Sequence, residues 1–147
     1  MPKADFVLSG SMLSPNGQIT ESSLFFAAGK IQKIVPGSDP GADLVVDGTI
    51  IPGLVDLQVN GAYGCDFTND ASTINEVARR LPETGVTAFM PTVITSTFDT
   101  YPARLIQIDR AMREEGPGQA HVLGVHLEGP YLNPKRKGAH PLEYIRP

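Results

Sequence analysis

The chain has 147 residues, of which 41% are hydrophobic and 19% are charged, and its net charge is −4. This is the composition of an ordinary globular protein with room for one domain or slightly more. The negative charge gives no electrostatic reason to expect a nucleic-acid partner. No apolar run approaches the roughly 18 residues that a membrane-spanning helix needs, so no membrane partner is expected either.

Cysteine usage bears on the compartment. Cys65 is the only cysteine, so an internal disulfide is excluded. The first residues also lack the apolar core of a signal peptide. These features predict a protein of the reducing cytoplasm.

The first fifty residues are predicted to form short strands. Residues 24–26 and 31–35 are rich in β-forming side chains and flank a loop that contains glycine, which indicates a hairpin. Asp47-Gly48 separates two further apolar stretches and predicts a second hairpin, because this dipeptide suits a tight β-turn.

From residue 52 onward, strand and helix patterns alternate. Residues 54–59, 86–95 and 121–127 read as strands. The first helix is predicted to open on a capping box at Thr73 and Glu76 and to end near Pro82 and Gly85. A second helix begins near Asp99 or Thr100. The predicted apolar faces are Ile74, Val77, Ala78 and Leu81 in the first helix and Leu105, Ile108, Ala111 and Met112 in the second.

This β-α-β-α-β order favours a parallel sheet, which is either open or the start of a barrel. In both architectures the chemistry lies where the strands end. Glu128 follows the third strand and is a good oxygen ligand for a divalent metal, or else an ordinary surface carboxylate. His126 shares its strand face and fits a ligand, a supporting group or a core histidine.

Other strand ends and loops carry polar side chains. Gln58 and Asn60 lie on one face at the end of the first strand, where amides can bind water or substrate. The basic run 135–137 suits either a phosphorylated substrate or a solvated loop. His140 follows Gly138, where the backbone can approach a ligand closely.

Three sequence blocks together resemble the N-acetylglucosamine-6-phosphate deacetylases of the amidohydrolase superfamily. The first is the strand entry 51–61 with the following Gly64 and residues 66–70, and the second is residues 85–87 with 91–96. The third and most specific is 124–133, Gly-Val-His-Leu-Glu-Gly-Pro-Tyr-Leu-Asn, with Lys137-Gly138-Ala139-His140. The resemblance begins near residue 30 and continues to the end of the chain.

The resemblance implies a fold and a reaction. Members of this family are (β/α)8 barrels with a small β-sandwich, so we expect part of the sandwich in residues 1–50 and an incomplete barrel in residues 51–147. They hydrolyse N-acetylglucosamine 6-phosphate to glucosamine 6-phosphate and acetate. A divalent metal activates the attacking water, and an Asp acts as general base. The resemblance also implies a small-molecule partner and a homodimer or larger assembly for the full-length enzyme.

The resemblance assigns roles to individual residues. Glu128 matches the metal-binding glutamate, and Ala139 and His140 match a loop that contacts the sugar. Gln58 and Asn60 stand where many amidohydrolases have a His-x-His pair. This difference implies one metal per site, zinc or a similar ion, since two amides hold a second metal poorly.

The catalytic Asp and two metal-binding histidines of the family match no residue here and are expected downstream. We therefore expect an N-terminal fragment that is inactive alone. Two alternatives remain: a fragment of another sugar or cyclic-amide amidohydrolase, and a small non-catalytic α/β binding domain. An unpaired parallel edge would argue against the second.

Overall fold

The structure, a computed structural model, describes residues 4–146. The chain divides into two compact units, Met1–Pro52 and Gly53–Pro147. The first unit contains the strands β1 Phe6–Leu13, β2 Ile19–Ala27, β3 Lys30–Pro36 and β4 Leu44–Ile50. The second contains β5 Leu54–Val59, α1 Ile74–Arg80, β6 Val86–Ile94, α2 Tyr101–Arg113, β7 His121–Val122 and β8 His126–Glu128.

The first unit is one four-stranded sheet with the order β3-β2-β1-β4. β2 pairs with β1 and with β3 in antiparallel fashion, so the hairpin predicted around residues 27–30 is confirmed. The hairpin predicted at Asp47-Gly48 is wrong. Both residues lie inside β4, which pairs parallel to β1.

Gly48 belongs to a bulge, not a turn. Ser9 pairs with Val45 and Ser11 pairs with Thr49, so three residues of β4 lie opposite Gly10 alone. Gly48 has φ +146°, a value that side chains rarely adopt. The Asp-Gly pair is therefore part of a β-bulge in this chain, a position that glycine favours as it does a tight turn.

The second unit is a mixed α/β structure around β6. This strand pairs parallel to β5 on one side and parallel to β7 and then β8 on the other. The core comprises side chains from both helices, from the strands and from the loops. Its fully buried aromatic pair is Phe67 and Phe89, whose ring centroids are 6.3 Å apart.

The third predicted strand, 121–127, is two short strands separated by three residues. Val122 pairs with Phe89 and His126 pairs with Thr92, so Leu123, Gly124 and Val125 lie opposite only Met90 and Pro91. Pro91 has no N–H to donate to a neighbouring strand. The parallel ladder with β5 is also irregular beside Pro91.

The first helix begins differently from the prediction. Thr73 makes no side-chain cap, and its hydroxyl donates instead to the carbonyl of Asp70. Asp70 caps a preceding 3-10 turn, Ala71–Thr73, by accepting hydrogen bonds from the N–H and the hydroxyl of Ser72. These hydrogen bonds lower the pKa of Asp70 from its ordinary value of 3.8.

The remaining helix predictions are mostly confirmed. The predicted apolar face of α1 is buried, and Gly85 ends the turn after it in the left-handed conformation with φ +84°. In α2 only Ile108 and Ala111 of the predicted face are buried, whereas Leu105 and Met112 are exposed. None of the helices in residues 4–146 is long and apolar enough to cross a membrane.

Candidate functional site

Glu128 lies at the C-terminal end of β8, and polar side chains from two other segments converge on it. Its Oε2 accepts a hydrogen bond of 3.2 Å from Nε2 of Gln58, near the end of β5. Its Oε1 lies 3.4 Å from Nε2 of His140. The Glu128 side chain is 33% exposed, so the carboxylate stays open to a ligand.

His140 is placed differently from a typical loop histidine. It is only 8% exposed, although the residue before it, Ala139, is exposed. The loop folds back, so that the His140 ring faces Glu128. Lys137 helps to hold this loop, since its ammonium group donates to the carbonyls of Gly138 and His140.

Gln58 and Asn60 separate in the structure. β5 ends at Val59, and the Gln58 side chain bonds to Glu128. The carbonyl of Asn60 accepts from the N–H of Phe67, which ties down the loop that follows the strand. Gln58 therefore joins the cluster around Glu128, while the described contact of Asn60 is a backbone one.

His126 is half-buried, and its Nδ1 lies 3.1 Å from the hydroxyl of Thr92. This matches the supporting or core alternatives for His126 better than a position on the carboxylate. The hydroxyl of Thr95 lies 2.8 Å from Nδ1 of His140 and 3.2 Å from the carbonyl of Glu128. Both threonines are buried, and sequence reasoning gave them no individual role. The one sequence signal that could have pointed to Thr92 and Thr95 is that hydroxyl side chains occur in and just after an otherwise apolar strand.

The cluster supplies few charged ligands for a metal. Among residues 4–146, no three His, Cys, Asp or Glu side chains converge in a way that could hold a metal ion. Glu128 offers the one carboxylate of the cluster, and His140 offers an imidazole beside it. A catalytic zinc site typically has three protein ligands.

No family model matches the chain. Curated proteins do resemble it. The chain is 44% identical over 101 residues to N-acetylglucosamine-6-phosphate deacetylase of Mus musculus, a match covering 66% of this chain and 24% of the relative. The deacetylase of the same name from Bacillus subtilis is 42% identical over 105 residues, a match covering 69% of this chain and 26% of the relative. N-acetylgalactosamine-6-phosphate deacetylase of Escherichia coli O157:H7 is 35% identical over 138 residues, covering 92% and 36%.

Solved structures agree. N-acetylglucosamine-6-phosphate deacetylase from Thermotoga maritima superposes with a TM-score of 0.79 at 29% identity, covering 93% of this chain and 35% of that one. The deacetylase of the same name from Mycobacterium smegmatis was solved as a mutant in complex with N-acetyl-D-glucosamine-6-phosphate. It also superposes with a TM-score of 0.79, at 25% identity, and the match covers 99% of this chain and 38% of that one.

The chain spans about a quarter of the length of the first curated relatives that it matches. The resemblance predicted from the three sequence blocks is confirmed: this chain resembles one part of the N-acetylglucosamine-6-phosphate deacetylases.

Proposed function

We propose that this chain forms the part of an N-acetylglucosamine-6-phosphate deacetylase that contributes the carboxylate ligand of the catalytic metal. The observation that supports this most is the identity of 42–44% to deacetylases of that name. The partly exposed carboxylate of Glu128, with Gln58 and His140 against it, gives the proposal a site.

The proposed architecture is part of a small β-sandwich in residues 1–50, followed by the first strands of a (β/α)8 barrel in residues 51–147. The parallel pairing of β5, β6 and β8 supports the barrel, because each strand is joined to the next through a helix. Glu128 and Gln58 then lie at the strand ends where such barrels carry their chemistry.

Glu128 fits a divalent metal as one ligand of several. Its carboxylate is charged and partly exposed, and hard oxygen ligands suit such ions. The other ligands and the general-base Asp would come from regions of the relatives that this chain does not cover. Once bound, the metal would activate water and polarise the amide carbonyl of the substrate. We propose one ion, zinc or a similar metal, because the amides of Gln58 and Asn60 are weak ligands.

The residues of this chain would orient rather than transfer groups. Gln58 donates to Oε2 of Glu128 and so fixes the plane of the carboxylate. His140 would bind the sugar through its ring, and the exposed Ala139 beside it would contact the sugar directly. We also propose a cytoplasmic enzyme that assembles as a homodimer or a larger oligomer. Its substrate, a charged sugar phosphate, stays in the compartment where it is made.

A second substrate is favoured by one specific observation. The N-acetylgalactosamine-6-phosphate deacetylase matches 92% of this chain, although at a lower identity of 35%. The two sugars differ in one hydroxyl configuration, and a site that hydrogen-bonds that hydroxyl can separate them strongly.

A chimera tests the proposal. Residues 1–147 would replace the matching segment of the Bacillus subtilis deacetylase, and both sugar phosphates would be assayed with added divalent metal. We expect deacetylation with a higher kcat/KM for N-acetylglucosamine 6-phosphate. A higher kcat/KM for N-acetylgalactosamine 6-phosphate would favour the second substrate. A folded chimera that deacetylates neither sugar would contradict the proposal, and Glu128→Gln provides the inactive control.

A further inference from the structure

Arg104, on α2, is a cation that no carboxylate neutralises directly. No Asp or Glu side chain among residues 4–146 forms an ion pair with it, whereas Arg110 and Arg113 of the same helix both form such pairs. Arg104 is also half-buried, while the other two arginines are exposed. A charge that is partly removed from water is costly unless it is paired or hydrogen-bonded, so the acceptors around Arg104 determine what it can bind.

Two hydroxyls hold the guanidinium group from one side. Nη1 of Arg104 donates to Oγ of Ser96 at 2.6 Å and to Oγ1 of Thr100. Thr100 donates its own hydroxyl proton to the carbonyl of Thr97 at 2.7 Å, so towards Arg104 it is an acceptor. These bonds use both protons of Nη1. The N–H groups of Nη2 and Nε have no acceptor among residues 4–146.

Arg104 lines a cavity of about 300 Å³ at the C-terminal end of β6. Its other walls come from the loop after β5 and from the turn around Pro141. The hydroxyl of Thr68 ties that loop to β6, since it accepts from the N–H of Ile94 at 3.0 Å. The volume lies at the lower end of the range for small-molecule sites, so the cavity suits a small ligand.

Asp66 is the one carboxylate among the described residues that line this cavity. Its Oδ1 accepts from the N–H of Thr68 at 2.9 Å, and its Oδ2 accepts from Nδ2 of Asn69 at 2.7 Å. These donors hold the carboxylate in its own loop, and no ion pair joins it to Arg104. The unused N–H groups of Arg104 are therefore left for a ligand.

We propose that Arg104 binds a phosphate group in this cavity, either free phosphate or the phosphate of a small sugar ester. Nη2 and Nε form one edge of the planar guanidinium group, and such an edge binds phosphate through two parallel N–H···O bonds. The contacts of Nη1 with Ser96 and Thr100 fix the plane in advance. The proposal does not rest on the proposed function.

Nitrogen–proton NMR of the isotope-labelled chain 1–147, titrated with inorganic phosphate, tests this. The Nε–H signal of Arg104 and the backbone signals of Ser96 and Thr97 should shift and saturate. Sodium chloride at matched ionic strength should not reproduce these shifts, because screening alone gives no saturable binding. Glucosamine 6-phosphate should shift the same signals, and glucosamine, which lacks the phosphate, should not. Tighter binding of the sugar phosphate would identify the ester as the ligand, and similar affinity would identify phosphate itself.

Three variants locate the binding. Arg104→Gln should weaken phosphate binding at least about tenfold, because it removes the charge and the two parallel donors. Arg104→Lys should also bind more weakly than the unmodified chain, since an ammonium group is a point charge without that planar edge. The matched control Arg110→Gln changes an exposed arginine paired with Glu114 and should leave the affinity unaltered.

The proposal would be overturned by an unmodified chain whose signals do not respond saturably, by equal shifts with chloride, or by unchanged affinity in Arg104→Gln. Equal weakening in Arg110→Gln would also contradict it. If Arg104→Gln unfolds, the unmodified chain and Arg104→Lys still decide. An inactive chimera together with saturable phosphate binding at Arg104 would contradict the proposed function alone.

Discussion

Glu128 is held by side chains from two other segments of the second unit. Gln58 contributes an amide donor from β5, and His140 contributes a buried ring from a loop. Neither neighbour is a carboxylate, so no like charge lies against Glu128 in this cluster.

His140→Ala in the chimera is the residue-scale prediction. Losing one hydrogen-bonding ring should raise KM about fivefold, because a hydrogen bond contributes roughly 1 kcal/mol and about 1.4 kcal/mol is a factor of ten. Metal content should stay normal, as measured by elemental analysis. His121→Ala is the control, since that ring is exposed and pairs with Glu115. Loss of metal in His140→Ala would make this histidine a ligand.

At the scale of elements, the start of the first helical segment depends on Asp70. Its lowered pKa means that its stabilising effect is complete above the ordinary value of 3.8 and is lost as pH falls through the lower value of the folded state. Asp70→Ala should therefore lower the melting temperature at neutral pH and match the unmodified chain in strong acid. The effect should be small, because Asp70 is exposed.

Asp70→Asn is the matched control for this cap. It keeps an oxygen that can accept from Ser72 but removes the ionisable group. Its melting temperature should exceed that of Asp70→Ala at neutral pH. Thermal melts across the acidic range measure the difference, and a gap between the alanine variant and the unmodified chain that persists in strong acid would contradict the account.

A substitution in the core beneath β6 should reduce stability more than the loss of the Asp70 cap does. Phe89→Ala removes a fully buried ring packed against Phe67, and should lower the free energy of unfolding by about 3–5 kcal/mol. The control Phe98→Ala removes a ring that is 53% exposed and should cost about 1 kcal/mol or less. Urea denaturation measures both, and equal losses would show that the Phe89 ring does not support the core.

Elements with strong periodicity were predictable from sequence, and interruptions were not. The face Ile74, Val77, Ala78, Leu81 repeats at helical spacing, and burial of that face follows directly. Pro91 lies within an apolar strand, where it interrupts both neighbouring ladders without ending the strand. A hydrophobic pattern describes one strand by itself, whereas a bulge or an interrupted ladder depends on how two strands pair.

The site was predictable to a similar degree. Glu128 and Gln58 follow from the rule that chemistry lies at strand ends, and they do meet. The return of His140 to Glu128 depends on the path of the loop, and the contact between Thr95 and His140 joins residues 45 positions apart in the sequence. Neither the path nor that contact leaves a local pattern.

At the scale of the whole molecule, the proposed function has the chain supply one carboxylate ligand, with the other ligands in regions of the relatives that this chain does not cover. The exposed apolar side chains Leu54, Val55 and Leu57 along β5 fit this view, since strands of a parallel sheet are normally covered on both faces. Residues 1–147 alone should therefore show no deacetylation above background, even with added metal.

Elemental analysis of the purified chimera tests the central claim most directly. We expect about one divalent ion per chain, in keeping with the amides of Gln58 and Asn60, and a loss of at least about tenfold in metal affinity for Glu128→Gln. Glu143→Gln, on the exposed turn Leu142–Tyr144, should retain the ion. Two tightly bound ions per chain, or full metal content in Glu128→Gln, would contradict the account.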